Sequence, residues 1–167
     1  DCARLPLVRP LLDEYPSPEV EAAFALFDER VAPLVSGLPQ QVIHNDFHLG
    51  NVLVNPGSDD YVAGIIDFGD VVHTARVVDL AVSLSYFIYP SEHPKAELDR
   101  FIAGFESRVP LRDDEREALP GLIAARLAQR ILVNQHLGRG NPADRAAAAA
   151  SATQTRLALA AYLEQEH

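Results

Sequence analysis

The residue types best suited to chemistry lie between Val42 and Asp70. After the apolar pair Val42-Ile43 come His44, Asn45, Asp46, Phe47, His48, Leu49, Gly50 and Asn51, then Val52-Leu53-Val54. A polar turn leads to Tyr61–Ile66 and on to Asp67, Phe68, Gly69 and Asp70. Polar clusters flanked by short apolar runs are the pattern of reactive loops held on buried strands. Asp46 offers a carboxylate for a proton, while the Asn51 amide oxygen and the Asp67 carboxylate are the oxygen ligands suited to a hard cation such as Mg²⁺. Phosphoryl transfer asks for such a set, because its catalysis is mostly positioning and charge neutralisation. In that chemistry Asp46 accepts the proton of an attacking hydroxyl or orients it. Asn51 and Asp67 hold Mg²⁺ against the phosphates of ATP. Gly69 would permit a sharp turn beside the metal, with Phe68 anchoring that turn in the core.

A lone Asp or His at a strand end is ordinarily a cap or a satisfied surface group. Three positions at fixed spacing, followed by Asp-Phe-Gly in order, are not accounted for that way. They follow the His-x-Asp, downstream Asn and Asp-Phe-Gly sequence of protein kinases. More specifically, the run from His44 to Val54 resembles the catalytic loop of the aminoglycoside phosphotransferase and choline kinase superfamily. Ile65 to Asp70 resembles its metal-binding segment. The continuation from Val71 to Ala81 is similar to the hydroxylysine kinase-like branch and to phosphotransferase modules fused to aminotransferases.

The resemblance implies a kinase using ATP and Mg²⁺ on a small hydroxyl-bearing substrate that carries an amine. It implies that His44 braces the loop, and that Asp79 accepts backbone N–H groups from it. Arg76, one turn before Asp79, reads either as the ion-pair partner of Asp79 or as part of an ordinary surface pair. His48 suits a substrate or phosphate contact and equally a surface position. Asp70 suits a substrate amine, a second metal or a cap. His73 and His136 have no partner at useful spacing and read as structural.

The elements that must position these groups make an α+β chain that is mostly helical, matching the C-terminal lobe of a protein kinase-like fold. Residues 1–16 are proline-punctuated and read as an entering segment. Ser17-Pro18-Glu19 is a helix start, with Ser17 as N-cap, and Val20, Phe24, Phe27 and Val31 recur at helical spacing until Gly37-Leu38-Pro39. Strands are expected at 42–43, 52–54 and 61–66. The last two form a small hairpin that brings Asn51 and Asp67 to one end. After Asp70 the pattern turns helical, with Val77 to Ile88 forming a stripe ended by Pro90. Further helices are expected over 95–107 and 113–118, then from Pro120 through Leu132, ending near Gly138. Asn141-Pro142 caps a final alanine-rich helix reaching about Glu164.

With 167 residues, 48% apolar and 23% charged, the chain has the size and composition of one globular domain. No apolar run is long enough to span a membrane, and no signal peptide opens the chain. The single Cys2 forms no internal disulfide, which points to a reducing, cytoplasmic setting. A net charge of −10 disfavours nucleic acid. It suits a cationic amine substrate, and equally a plain solubilising surface.

The sequence has no Met and opens at Asp1, consistent with an internal start. Its one lysine, Lys95, follows the catalytic segments instead of preceding them on a strand, and Gly138-Arg139-Gly140 lacks a third glycine. There is no Walker A pattern. The expectation is therefore that residues 1–167 are the C-terminal, catalytic-loop lobe of a larger enzyme. The nucleotide-binding lobe lies outside the chain, and other domains are fused or partnered upstream or downstream. Two other functions compete. A hydrolase with His44, Asp46, His48 and Asp67 around zinc or iron leaves Asn51 and Asp-Phe-Gly unexplained. A non-catalytic binding domain built on a kinase lobe fits the missing lysine.

Overall fold

The computed structural model of the chain describes residues 1–59, 61–88, 94–138 and 142–165. It is α+β and mostly helical. In chain order the elements are a 3₁₀ segment (Cys2–Val8), α1 (Pro10–Glu14), α2 (Pro18–Arg30), β1 (Gln40–Ile43), β2 (Val52–Val54), β3 (Val62–Ile65), β4 (Val72–Ala75), α3 (Val77–Ser85), α4 (Pro94–Glu106), α5 (Asp113–Leu137) and α6 (Pro142–Gln165).

Helix α5 is the axis of the molecule, packed by α2, α3, α6 and the opening 3₁₀ segment. Leu122, Leu127, Ile131 and Leu132 on it are fully buried. Each such side chain contributes about 1.5–3 kcal/mol of burial before the cost of ordering it. α5 runs unbroken through Pro120, where two helices were expected. An interior proline loses one backbone bond and crowds the carbonyl four residues earlier, and packing of α5 on several sides outweighs that cost. Beside it, a Cβ on Gly121 would stand 2.6 Å from Val31 Cγ2, so glycine is what lets the end of α2 approach α5.

At the N-terminal end the opening segment packs into the core, with Cys2 and Leu5 fully buried. Ser17 stands at the N-cap of α2, but its hydroxyl donates to Glu19 Oε2 at 2.6 Å and does not cap the backbone. α5 ends at Leu137 with Gly138 in right-handed conformation. The expected stop at Pro90 and the Asn141 cap lie outside the described residues.

Two antiparallel pairs flank the helices. β2 and β3 form the expected hairpin, with Val52 opposite Ile65 and Leu53 opposite Gly64. β4 was not expected. It pairs with β1, with Ile43 opposite Val72 and Gln40 opposite Ala75. Val71-Val72-His73-Thr74 is β-branched enough to extend, and β1 supplies the partner that makes extension favourable. This pairing sets the end of β1 beside the start of β4, just after Asp70, and the start of β1 beside the start of α3.

Candidate active site

The chain leaves β1 at the buried Ile43 and must turn at once. Asn45 makes that turn in left-handed conformation, with φ 64°. Turning exposes two backbone N–H groups, and Asp79 takes both. His44 N–H donates to Asp79 Oδ2 at 3.3 Å and Asn45 N–H donates to Asp79 Oδ1 at 2.7 Å. Eight of the nine α3 residues are buried, Asp79 alone being half-buried. Its carboxylate sits in the first helical turn, where the backbone dipole favours negative charge. Ser83, one turn on, places its Oγ 2.9 Å from Phe47 O and extends the seam.

His44 bridges the two polar loops. Its Nε2 lies 2.9 Å from Ile66 O and its Nδ1 accepts the Asp46 N–H at 3.3 Å. One tautomer, protonated on Nε2, satisfies both contacts. With both nitrogens engaged, His44 has none left for a metal. Asn45 Nδ2 adds a second tie by donating to Asp70 O at 3.2 Å.

Asp46 is half-buried and its carboxylate is surrounded. Oδ1 accepts from Arg126 Nη2 at 2.8 Å and from Tyr86 Oη at 3.2 Å. Oδ2 lies 3.7 Å from His48 Nε2. His48 is itself fixed, stacked on Tyr86 at 4.4 Å between centroids and accepting the Gly50 N–H on Nδ1. A Cβ on Gly50 would strike His48 Cε1 at 2.7 Å, so the compact turn depends on that glycine.

Asn51 is buried and donates from Nδ2 to Asp46 O at 3.0 Å. That commits the nitrogen and makes the amide oxygen the end a hard cation would take. Asn51 O accepts Ile66 N–H at 3.0 Å, which puts Asn51 beside the residue before Asp67. Asp67 is exposed and adopts φ 63°, ψ 62°. The sharp turn is therefore made by Asp67 itself. At Gly69 a Cβ would make only an ordinary contact, 3.5 Å from Asp67 Oδ1. Phe68 does not anchor the turn in the core. It is 59% exposed and lies against the His44 ring at 4.8 Å. An amide oxygen and one exposed carboxylate fit Mg²⁺, which keeps several waters and takes the rest of its shell from substrate phosphates.

Beside Asp46 opens a cavity of about 490 Å³, lined among others by Asn45, Asp46, Asp70, Tyr86, Arg126 and Arg130. Asn51 and Asp67 do not line it. Thus Asp46 and Asp70 share one space, while Asn51 and Asp67 sit on the hairpin side. Tyr86, Arg126 and Arg130 have no counterpart in the reading of the sequence. A signal for the arginines exists: from Ala118 to Ala143 there is no Asp or Glu, so their countercharge must come from a distant part of the chain.

Several expected contacts are replaced. Arg76 does not pair with Asp79. It makes a two-pronged ion pair with Glu115, at 2.7 and 2.6 Å, joining the start of α3 to the start of α5. Glu115 is fully buried and also accepts the Arg112 N–H at 3.0 Å. Burial alone would push its pKa up, but the Arg76 hydrogen bonds and the Arg112 N–H outweigh that and hold it below the usual carboxylate range. Lys95 faces Asp99 on the surface at 3.9 Å. His73 is exposed on β4, and His136 lies 3.9 Å from Glu14. Among the described residues no three His, Cys, Asp or Glu side chains gather as a metal site, so His44, Asp46, His48 and Asp67 are not brought together as the hydrolase reading would need. Among them, too, no helix is long and apolar enough to cross a membrane.

The chain is similar in sequence to several known proteins. The chain is 31% identical over 120 residues to hydroxylysine kinase of Mus musculus, covering 68% of the chain and 32% of that protein. It is 32% identical over 109 residues to homoserine kinase of Phenylobacterium zucineum, covering 64% of the chain and 33% of that protein. With homoserine kinase of Caulobacter sp. the figures are 35% over 101 residues, 59% and 31%. The chain thus spans about a third of the length of these relatives. No solved structure matches it significantly. A model of the phosphotransferase enzyme family matches residues 2–122, and the chain belongs to that family.

Proposed function

We propose that the chain is the C-terminal, catalytic-loop lobe of a protein kinase-like small-molecule kinase. The kinase moves the γ-phosphoryl group of ATP to a hydroxyl of an amine-bearing acceptor: an amino alcohol, a hydroxy-amino acid or an aminoglycoside-like compound. The observation that carries this is the Asp46 carboxylate, set at the edge of a ligand-sized cavity on a loop clamped by Asp79. Asp46 takes the proton of the acceptor hydroxyl as its oxygen bonds to phosphorus, and ADP departs. Arg126 and Tyr86 hold Oδ1, which fixes the carboxylate so that Oδ2 faces the proton it removes. His44 and Asp79 keep the loop in register. Asn51 and Asp67 would hold Mg²⁺, which when bound with ATP neutralises charge on the transferring phosphate.

A nucleotide-binding lobe beyond this chain is part of the proposal. It is supported by the relatives' length and by the exposed apolar side chains of the hairpin, including Leu53, Val62 and Ile65. The test is Mg²⁺-dependent nucleotide binding by the full-length enzyme. Asp67→Asn, which tolerates the left-handed backbone at this position, is expected to lose most of the Mg²⁺-dependent part at unchanged melting temperature. Retention of that part would remove Asp67 from the metal.

A further inference from the structure

Arg126 and Arg130 stand one turn apart on α5 and line the same cavity. Two guanidinium groups side by side repel one another, and burying them costs more unless each finds an anion. Only half of that requirement is met among the described residues. Arg126 Nη2 reaches Asp46, but Arg126 Nε is buried with no hydrogen-bond partner among the described residues. Arg130 lies over the Tyr86 ring at 4.5 Å and makes no ion pair among them. Burial, and Arg126 beside it, push the Arg130 pKa down, with Tyr86 and Asp46 opposing. Of the three carboxylates that line this ligand-sized space, Asp1, Asp46 and Asp70, only Asp46 forms an ion pair with either arginine among the described residues, and it does so with Arg126. Elsewhere in the cavity stand Asp70 and Asn45, whose buried Oδ1 also lacks a partner.

We propose that Arg126 and Arg130 bind the carboxylate of the acceptor, so that the substrate is a hydroxy-amino acid and neither an amino alcohol nor an aminoglycoside. Resting on the kinase reading above, this narrows its acceptor class. The carboxylate gives Arg130 the anion it lacks and meets the Arg126 guanidinium beside it, for which the planar fork of arginine is well shaped. The ammonium group is taken by Asp70. The hydroxyl at the far end of the side chain then falls to Asp46.

Calorimetric binding to the full-length enzyme tests this without relying on turnover. The probes are 5-hydroxy-L-lysine and L-homoserine, each against its carboxamide. The expected result is that at least one acid binds about 10- to 100-fold tighter than its amide. Arg130→Gln should erase that preference, and Arg130→Lys should restore part of it. ATP affinity should be unchanged in both, and melting curves separate loss of binding from loss of fold. Equal binding of acid and amide to the unmodified enzyme overturns the proposal even if no variant folds. So does failure of both acids to bind, or an Arg130→Gln defect that falls on ATP. Phosphorylation of the amides as readily as the acids would sink the carboxylate assignment while leaving the kinase reading intact. Acid-selective binding without phosphoryl transfer would do the reverse.

Discussion

The guanidinium of Arg126 lies 2.8 Å from Asp46 Oδ1, across eighty residues of chain. It joins the central helix to the loop proposed to carry the base, and both side chains are largely shielded from water, at 15% and 21% exposure. Arg126→Gln should leave the carboxylate misaligned and short of a charged partner. We expect kcat/KM of the full-length enzyme to fall about 10- to 100-fold, matching loss of a charged hydrogen bond. Unchanged steady-state kinetics would show that the contact does not orient Asp46.

Asp79 holds the loop through two backbone N–H groups, one on each oxygen. Asp79→Asn retains one acceptor and turns a donor toward the other N–H. The expected cost is about 1–3 kcal/mol in denaturant unfolding. Hydrogen exchange should quicken at His44 and Asn45 while the amides of α5 stay protected. Uniform exchange across the chain would mean that Asp79 supports the whole fold and not the loop.

The Arg76–Glu115 pair makes a prediction about pH. The folded-state pKa of Glu115 is held below its ordinary value, so the unfolded chain binds the proton first as pH falls. The pair therefore stabilises the protein fully above the unfolded carboxylate value of about 4.3, and that stability drains away as pH drops through the lower folded value. Glu115→Gln should flatten this acid limb. At neutral pH it should cost about 3–5 kcal/mol, because Arg76 is left without its partner. An acid limb of the same slope in the variant would place the proton uptake elsewhere.

What could be read without coordinates follows from what is local. The spacing of His44, Asp46 and Asn51, the hairpin and the helix carrying Asp79 all depend on short-range pattern, and the elements lie where that pattern puts them. β4 is four residues long and exists because β1 lies beside it, which no window around Val72 reveals. Pro120 reads as a helix boundary until the helices around α5 are seen to hold it. Arg76 has Asp79 within three residues, yet its partner is Glu115, which the meeting of α3 and α5 buries next to it. Arg126 and Arg130 are ordinary helix residues in sequence. Their character comes from facing Asp46 and Tyr86 across a cavity.

The most direct test of the kinase account is single-turnover phosphoryl transfer by the full-length enzyme carrying Asp46→Asn. The asparagine keeps the side chain's shape and removes its capacity to take a proton. The account predicts a fall of about 10²- to 10⁴-fold in the transfer step with ATP affinity unchanged, melting curves showing that the variant stays folded despite the lost Arg126 ion pair. Transfer at the unmodified rate in a correctly folded variant would contradict it.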